Sequence, residues 1–462
     1  MKTISKICDC ADWFDPEFNY VVSNELKESV RFHRKQWEFA MIFLALKKYG
    51  FLSADKIGLS VGGGNERVLY SISNYVKKLI VTDLYDENTS WDCARTGDPT
   101  EFILNSKPFD VNESKISAMR MDMRNLQFDD NTFDFCYSSC AVEHIGDFDD
   151  FVQHFDEVYR CLKEDGIYVF TTEFQFGDTT IKDPNNYIFS PDYLEKILNT
   201  IKLTPEVNPD VALINHESNR PFPSNIKNMM ITGKNDLPGN IDGALNHVSL
   251  MRGKYPFSSI LFILRKKSAN QNRKKIEFIN YSSSDKFLKE GVNRLKEKLQ
   301  LSDITINPYS SLPDGVSPFC IDHQEYFREN ISQQNSDTIF HSDYFWFGNH
   351  SRNFCIDIKT DDELKENGTV INLRVHRYPV LNSAIVKCIY EKDIKLISDS
   401  GCSQEIKIEL EEDYAYAILA KLKSGKFAAK KISITSKPSK SEDQLNNKSF
   451  KIFNSNFLTK IC

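Results

Sequence analysis

Residues 57–68, with the sequence IGLSVGGGNERV, decide the fold of the N-terminal half of the chain. A short apolar run ends in three consecutive glycines, and the residues that follow can begin a helix. A strand, a glycine-rich turn and a helix in this order are typical of the ligand-binding edge of an α/β sheet. The same glycines can also form a purely structural turn, so this stretch needs support from its neighbours.

A dinucleotide-binding turn needs a third glycine, which lets the helix pack closely on the strand. Gly62 and Gly64 occupy the first two positions of that pattern, but the third position holds Arg67. An arginine would obstruct this packing. The turn therefore disfavours a nicotinamide dehydrogenase.

An acid follows the next apolar run. Asp83 ends KLIVTD, about 20 residues after the first glycine, which is the spacing at which a carboxylate reaches a ribose. A carboxylate at the end of a strand can accept hydrogen bonds from both hydroxyls of a diol. An acid at this place can also simply cap a turn.

Around these residues, apolar strand-like runs alternate with helical ones. The predicted strands are 56–61, 78–82, 116–121, 133–138, 166–172 and 258–266, and the predicted helices are 65–75, 148–162 and 190–201. Such alternation indicates a mostly parallel sheet covered by helices on both faces. A long helix is also expected before the sheet, capped by Ser23 and running to Gly50.

The pattern changes near residue 267. Residues 265–275, RKKSANQNRKK, are polar and aperiodic, and we interpret them as a linker. Beyond them, short runs with period-two alternation predict an all-β sandwich or jelly roll. The 462 residues thus divide into a helical extension or lid at 1–55, an α/β domain at 56–267, a β-rich accessory domain at 268–436 and a tail at 437–462.

Composition narrows the class of protein. The net charge is −7 with dispersed basic residues, so no nucleic-acid partner is expected. The longest apolar runs, FAMIFLAL and ILFIL, are too short to span a membrane, and the N-terminus does not resemble a signal peptide. The 11 cysteines lack the paired spacing of a zinc site, so we expect no metal. Free thiols in a cytoplasmic protein are the expected state.

A third signal lies in residues 120–173. In order, this stretch contains Asp122, NLQF, DDNTFD and YRCLKEDG. The ordered set resembles the signature of class I S-adenosylmethionine-dependent methyltransferases of the type 11 kind. The resemblance covers 56–175 well and extends loosely to 267. It implies a Rossmann-like seven-stranded methyltransferase sheet and S-adenosylmethionine as the cofactor.

The resemblance also implies a cofactor-binding set, which is Gly62, Gly63, Gly64, Asp83, Asp122, Met123, Ser138 and Ser139. By this analogy the glycines would lie against the methionine and ribose, and Asp83 would hold the ribose hydroxyls. Asp122 would accept from the adenine amino group, and the amide of Met123 would face the ring. The two serines would line the sulfonium.

Two positions depart from the family pattern. Ser60 replaces the acid usual two residues before the first glycine, and Glu66 replaces the usual last glycine. Serine offers no anionic partner for the cofactor's ammonium group. We expect Glu66, or the charged stretch HRKQWE at 33–38, to supply replacement contacts. Arg34 or Lys35 could then meet the carboxylate of the cofactor.

The stretch AVEHIGD at 141–147 follows the fourth predicted strand and supplies candidate catalytic residues. His144 has the chemistry of a general base for an alcohol acceptor, and Glu143 could orient it or act itself. A packing role for His144 is the other interpretation. The long stretch at 175–257 supplies candidate acceptor-pocket residues, which are His216, Glu217, Arg220 and His247.

The sequence therefore predicts an S-adenosylmethionine-dependent O-methyltransferase that acts on a small or glycan hydroxyl acceptor in polysaccharide biosynthesis. The aromatic stretch HSDYFWFGNH at 341–350 suggests carbohydrate binding by the β-rich domain. The other interpretation is a scaffold whose aromatic residues fill the core and which joins copies of the chain into a homo-oligomer. A non-catalytic cofactor- or carbohydrate-binding protein on a degenerate methyltransferase fold is the alternative function.

Overall fold

A computed structural model describes residues 3–89, 91–223, 229–232, 247–267, 276–306, 308–309, 338–342, 344–360, 368–396, 402–425 and 429–439. The α-helices in these ranges are α1 (Pro16–Tyr20), α2 (Arg34–Lys48), α3 (Arg67–Ser73), α4 (Pro99–Asn105), α5 (Phe148–Cys161), α6 (Pro191–Thr200) and α7 (Tyr281–Leu301). Strands of the N-terminal part are β1 (Ile57–Val61), β2 (Lys78–Asp83), β3 (Ile116–Arg120), β4 (Phe133–Ser139), β5 (Leu162–Gln175), β6 (Ile181–Asp183), β7 (Asn186–Ile188), β8 (Thr204–Pro205), β9 (Phe222–Pro223), β10 (Met229–Thr232), β11 (Leu250–Arg252) and β12 (Tyr255–Arg265). Strands of the C-terminal part are β13 (Asp303–Ile306), β14 (Pro308–Tyr309), β15 (Thr338–Ser342), β16 (His350–Thr360), β17 (Val370–Pro379), β18 (Lys387–Lys395), β19 (Cys402–Leu410), β20 (Tyr414–Ser424) and β21 (Ala429–Pro438).

The large sheet has the strand order β3-β2-β1-β4-β5-β12-β11-β9, and β8 pairs with β12. The first five strands are parallel, and β12 runs antiparallel to β5. Buried residues of α2, α3 and α4 cover one face of this sheet, and residues of α5 and α6 cover the other. The predicted Rossmann-like sheet with helices on both faces is confirmed. Strands from the insertion at 175–257 widen it.

The predicted helix from Ser23 to Gly50 is wrong at its start. The long helix α2 begins at Arg34, with His33 as its N-cap, and the chain before it turns at Lys27, whose φ is +53°. The buried amide of Gln36 explains the irregular segment. It accepts a hydrogen bond from the amide of Arg31 and donates one to the carbonyl of Ser29. These side-chain contacts satisfy backbone groups that a continuous helix would otherwise have used.

The first residues of the chain belong to the core of the α/β domain. Ile7 forms a bridge with Ile260 of β12, and the side chain of Asp12 accepts hydrogen bonds from Lys6 and from the indole of Trp37. Trp37 is fully buried in α2. Residues 3–14 are therefore fixed between the large sheet and α2 by one buried acid.

The C-terminal part is a jelly roll. Eight strands form two antiparallel sheets, ordered β13-β21-β16-β19 and β15-β20-β17-β18, with β10 and β14 as additional edge strands. In chain order of the eight strands, these orders are first-eighth-third-sixth and second-seventh-fourth-fifth. That connectivity is the jelly-roll arrangement. Apolar side chains of both sheets meet in one core, so the predicted sandwich is confirmed.

Residues 345–347 of the aromatic stretch lie inside this core. Phe345, Trp346 and Phe347 are buried, and the indole of Trp346 donates to the carbonyl of Glu412. The suggestion that these three rings bind carbohydrate is wrong. A bridge between Phe345 and Tyr416 of β20 brings the stretch into the sandwich, a long-range pairing that the local sequence does not reveal.

Helix α7 connects the two cores. Its residue Leu288 packs in the core of the α/β domain, whereas Val292 and Leu299 pack in the core of the jelly roll. The predicted linker lies mostly outside the described residues, because 268–275 are not described. The predicted tail begins within β21, which ends at Pro438, and residues 440–462 also lie outside the described part.

Two general properties follow from the described residues. The nine cysteines among them are all free thiols, as the sequence predicts. Within the described ranges, no helix has both the length and the apolar character that crossing a membrane requires.

A buried arginine ties α7 to the jelly roll. The guanidinium of Arg352 donates to the carbonyls of Leu299 and Ser302 at 2.7 Å and to the hydroxyl and carbonyl of Ser436. Its side chain also lies over the ring of Phe347, 4.8 Å from the ring centre. One residue thus satisfies orphan carbonyls at the helix end and joins β16 to β21.

We expect Arg352→Met to destabilise the jelly roll. The change leaves buried carbonyls without donors, and each unsatisfied group costs about 1–3 kcal/mol. Calorimetric unfolding of the full chain measures the effect. Arg374→Met is the matched control, because Arg374 pairs with Glu391 at the surface and such pairs contribute about 0–1 kcal/mol. Equal melting temperatures for the two variants would contradict the assignment.

Candidate functional site

The glycine turn lies at the carboxyl edge of the parallel strands, directly after β1. Gly62 and Gly64 have φ angles of +63° and +44°, which favour glycine. A Cβ on Gly62 would lie 2.6 Å from Cβ of Ala141, and one on Gly64 would lie 3.0 Å from the carbonyl oxygen of Cys93. The turn therefore needs glycine both for its conformation and for its close packing.

Asp83 is joined directly to this turn. Its carboxylate accepts a hydrogen bond from the amide of Gly64 at 2.8 Å and another from the amide of Leu84 at 2.7 Å. Burial raises the pKa of Asp83, while the two amides and His144 oppose that change. The structure thus brings together the first four residues of the predicted cofactor set at the ends of β1 and β2.

Asp122 and Met123 follow β3 at the same edge. The sulfur of Met123 lies 3.7 Å from the position that a Cβ on Gly62 would take. Asp122 is bound by Arg124, whose guanidinium reaches Oδ2 at 2.7 Å and whose amide donates to Oδ1 at 2.9 Å. These bonds lower the pKa of Asp122. An adenine amino group at Asp122 would therefore have to share this carboxylate with Arg124.

Ser138 and Ser139 end β4 and are buried. The hydroxyl of Ser139 donates to Glu38 of α2 at 3.2 Å, and the ammonium of Lys35 lies 3.4 Å from the carbonyl oxygen of Ser139. The first turn of α2 therefore packs against the end of β4. This places the charged stretch HRKQWE at the edge of the sheet, beside the glycine turn.

Five charged side chains form a connected network there. Lys35 lies 2.9 Å from Glu38 and 3.5 Å from Glu66, and Arg34 forms an ion pair with Glu173 of β5. Burial alone would raise the pKa of Glu38, but Lys35 and Arg34 lower it to about 2. Burial raises the pKa of Glu66 to about 8, against the opposing charge of Lys35. Glu38 is therefore ionised at neutral pH, and Glu66 can hold a proton.

A polar cavity of about 630 Å³ opens next to this network. Its walls come from α2, from the segments after β2 and β4, from β5, from the β6–β7 hairpin and from the jelly roll. The residues that form them are Arg34, Lys35, Trp91, Cys140, Glu143, His144, Glu173, Asp183, Pro184, Asn185, Asn186 and Ser383. The cavity is large enough for a small-molecule ligand.

Both predicted catalytic residues line this cavity. Nδ1 of His144 lies 2.6 Å from the carbonyl oxygen of Asn185, and the ring of Trp91 lies 4.8 Å from the imidazole. Because a carbonyl only accepts, Nδ1 carries the hydrogen and the neutral ring presents its lone pair at Nε2. Glu143 accepts from the hydroxyl of Thr172 at 2.9 Å. Burial raises the pKa of Glu143. The charge of His144 opposes this rise, and the charge of Glu173 adds to it.

The four candidate acceptor residues from the long insertion do not form part of the cavity wall. His216 caps a short 3-10 helix at 217–219, and Glu217 pairs with Arg220 at 2.8 Å. His247 instead stacks on His33, with ring centres 4.3 Å apart. Among the described residues, no group of three or more His, Cys, Asp or Glu could hold a metal ion.

Sequence reasoning missed the hairpin tip at 183–186, Trp91 and Ser383 as cavity residues. Residues 183–186 at the tip of the hairpin read DPNN, which predicts a turn, but nothing in the neighbouring sequence shows that this turn faces His144. The ion pairs of Glu38 with Arg34 and Lys35 were also missed, although the sequence contains a pattern that predicts them. Arg34, Lys35 and Glu38 have the three- and four-residue spacing of side chains that meet on one helix face.

Comparison with known proteins supports the assignment of the large sheet. The family described as "Methyltransferase domain" matches residues 59–170, which contain the glycine turn, Asp83, Asp122 and His144. No curated protein sequence matches the chain.

Several solved structures are similar at low identity. A protein from Galdieria sulphuraria, described as a candidate sarcosine dimethylglycine methyltransferase, has 15% identity and a TM-score of 0.28, over 37% of this chain and 60% of that protein. An S-adenosylmethionine-dependent methyltransferase from Methanosarcina mazei has 14% identity and a TM-score of 0.29, over 48% and 97%. Geranyl diphosphate C-methyltransferase from Streptomyces coelicolor A3(2), with Mg²⁺, geranyl diphosphate and S-adenosylhomocysteine, has 14% identity and a TM-score of 0.31, over 56% and 87%.

The family match and the geometry of the glycine turn agree. Residues 59–170 therefore match a methyltransferase domain, a match that indicates S-adenosylmethionine as the cofactor, and a C-terminal jelly roll is joined to this part of the chain.

Proposed function

We propose that this protein is an S-adenosylmethionine-dependent O-methyltransferase that acts on a hydroxyl group of a small polar or saccharide acceptor. The observation that carries the proposal is the position of His144. It lies in the wall of a polar cavity, next to the edge where the glycine turn and Asp83 are joined within the matched domain. A cytoplasmic role in glycan biosynthesis is part of the same proposal.

The residues at the edge of the sheet fit the cofactor. Glycine at positions 62 and 64 permits the tight backbone turn, with φ angles of +63° and +44°, that brings the amide of Gly64 to the carboxylate of Asp83. Asp83 would bind the ribose hydroxyls, Asp122 and Met123 would lie at the adenine, and Ser138 and Ser139 would lie at the sulfonium. When bound, S-adenosylmethionine supplies a methyl group to an in-line displacement, for which positioning carries much of the rate.

Glu66 is the candidate partner for the ammonium group of the methionine part. It sits at the N-cap of α3, directly after the glycine turn, and one of its carboxyl oxygens is buried without a hydrogen-bond partner among the described residues. Lys35, 3.5 Å away, is the candidate partner for the methionine carboxylate. A bound ammonium would favour loss of the proton that Glu66 otherwise holds, so the two residues would then offer an anion and a cation to the two ends of the zwitterion.

His144 would accept the proton of the acceptor hydroxyl. The bond from Nδ1 to Asn185 fixes the tautomer that leaves Nε2 as the base. Glu143 is the weaker candidate for this step, because its raised pKa favours the protonated form. We assign Glu143 to anchoring the segment that carries His144 on β5, through its bond to Thr172.

The wall of the cavity suits a molecule with many hydroxyl groups. Hydrogen-bond donors and acceptors on one side come from Asp183, Asn185 and Asn186. On another side, the half-exposed side chain of Trp91 offers an aromatic surface. The apolar face of a sugar ring can pack on such a surface while its hydroxyls bind amides and carboxylates. This combination supports a saccharide acceptor.

The alternative is a binding protein without catalysis. Ser60 favours it, because this buried serine packs against the glycine turn and brings no negative charge there. Two measurements separate the functions. Calorimetric titration with S-adenosylmethionine tests binding, and transfer of labelled methyl to a panel of monosaccharides and nucleotide sugars tests catalysis. Binding without transfer to any panel member would favour the alternative.

We expect Asp83→Ala to weaken cofactor binding by roughly 10²-fold or more. The change removes two charge-assisted hydrogen bonds, each worth about 1.5–3 kcal/mol, and leaves the Gly64 amide without its acceptor. Titration with S-adenosylhomocysteine measures the effect. Asp92→Ala is the control, because Asp92 is an exposed acid on the same connection. Affinity within twofold of the wild type would show that Asp83 does not bind the ribose.

We expect His144→Gln to lower turnover by roughly 10²–10⁴-fold, the usual contribution of a positioned general base, with cofactor affinity unchanged. His216→Gln is the control, since His216 is exposed and lies outside the cavity wall. Turnover and melting temperature should be measured in the same preparation. A variant that is less stable but as fast as the wild type would make His144 a packing residue.

We expect Glu66→Gln to change how stability depends on pH. The folded pKa of Glu66 is about 8 and the ordinary value is 4.5, so between these values the folded protein keeps a proton that the unfolded chain loses. The free energy of unfolding of the wild type should therefore fall as pH rises from 4.5 to 8. Each unit of pKa difference corresponds to about 1.4 kcal/mol.

Glu66→Gln stays neutral at every pH, so it should match the wild type near pH 4 and exceed its stability near pH 8. Denaturant titrations at several pH values measure both curves. Glu290→Gln, at an exposed position of α7, is the control. Parallel curves for the wild type and Glu66→Gln would rule out the raised pKa.

A further inference from the structure

The β6–β7 hairpin lies between the two domains. Ile181 and Ile188 at its base pack with Leu250 and Phe257, and Leu381 of the jelly roll packs against the same small cluster. Each strand of the hairpin has only three residues. A two-stranded hairpin of this length is not stable alone, so neighbouring contacts must fix its position.

The jelly roll makes the contacts at one side of the hairpin. Oδ1 of Asp183 accepts from the amide of Ser383 at 2.8 Å, and the amide of Lys182 donates to the carbonyl of Leu381 at 3.0 Å. Oδ2 of Asp183 accepts from Arg252 at 2.6 Å. Ser383 and Leu381 belong to the loop between β17 and β18. One carboxylate therefore joins the hairpin both to that loop and to the large sheet.

The other side of the hairpin holds the candidate catalytic residue. The carbonyl of Asn185 accepts from Nδ1 of His144 at 2.6 Å, and the side-chain amide of Asn186 donates to Glu173 at 3.1 Å. Glu173 in turn pairs with Arg34. Asp183, which the jelly roll binds through Ser383, is thus only two residues from Asn185, whose carbonyl orients His144.

We propose that the jelly roll is a working part of the methyl-acceptor site, in which Asp183 is a positioning residue that holds the hairpin against His144. The proposal rests on the proposed function, because it assigns His144 as the base. Ser383, in the cavity wall, is the place where the jelly roll meets the acceptor. Misplacement of a reacting group by about 1 Å can cost 10²-fold in rate, so the hold on the hairpin affects catalysis.

The test compares Asp183→Ala with a matched control. Asp413→Ala also removes an ion pair between the two domains, from Lys254 to Asp413 at 2.7 Å, but Asp413 lies outside the cavity wall. Ser383→Pro removes the same hydrogen bond from the jelly-roll side and leaves Asp183 in place. It also keeps the test possible where Asp183→Ala does not fold.

Three readouts on the full chain decide the result. We expect Asp183→Ala and Ser383→Pro to speed amide hydrogen exchange at 181–188 by roughly tenfold or more and to shift the NMR signals of the His144 imidazole. Asp413→Ala should change neither. Affinity for S-adenosylhomocysteine should stay within twofold in all three variants, since none of these residues lies at the glycine turn.

Unchanged exchange and unchanged imidazole signals in Asp183→Ala and Ser383→Pro would overturn the proposal. Equal changes in Asp413→Ala would also overturn it, because they would show only general loosening of the two domains. Failure of the proposed function looks different. In that case the wild type would transfer no methyl group to any member of the acceptor panel, whatever the hairpin does.

Discussion

The fully buried carboxylate of Glu38 is the interaction on which the arrangement of the site depends. It accepts hydrogen bonds from Ser139 at the end of β4 and from Ser259 on β12, and it pairs with Lys35 and Arg34 in its own helix. A buried charge is costly unless it is paired and hydrogen-bonded, and Glu38 is both. This one group therefore fixes α2 across the sheet and points two cations toward the cavity.

The same helix explains the departures from the family pattern. The hydroxyl of Ser60 occupies the space where Gly63 would carry a Cβ, so the position has little room for a larger acidic side chain. A carboxyl group is present on the other side of the turn, where Glu66 faces Lys35. The carboxyl group missing at position 60 is thus matched by one at position 66, at the start of α3.

The sequence was sufficient for the fold wherever local periodicity and turn chemistry agreed. The strands β1 to β4 and the helices α3, α5 and α6 lie within a few residues of their predicted places. The start of α2 was wrong because Gln36 binds backbone groups from Arg31 and Ser29, which no helical pattern contains. The sequence left the burial of Trp346 open between two interpretations, because a long-range pairing, rather than its neighbours, places it in the core.

The residues of the candidate site also fall into those that local sequence places and those that only long-range contacts place. Gly62, Gly64 and Asp83 could be placed together from sequence, since the ends of adjacent parallel strands meet at one edge of a sheet. The cavity could not be predicted from the sequence, because its wall joins residues as distant along the chain as Arg34, Asp183 and Ser383. These residues meet only after both domains have folded and the hairpin has docked between them. A local motif can therefore locate the glycine turn and its acid, whereas the cavity beside them is formed by the packing of one domain on another.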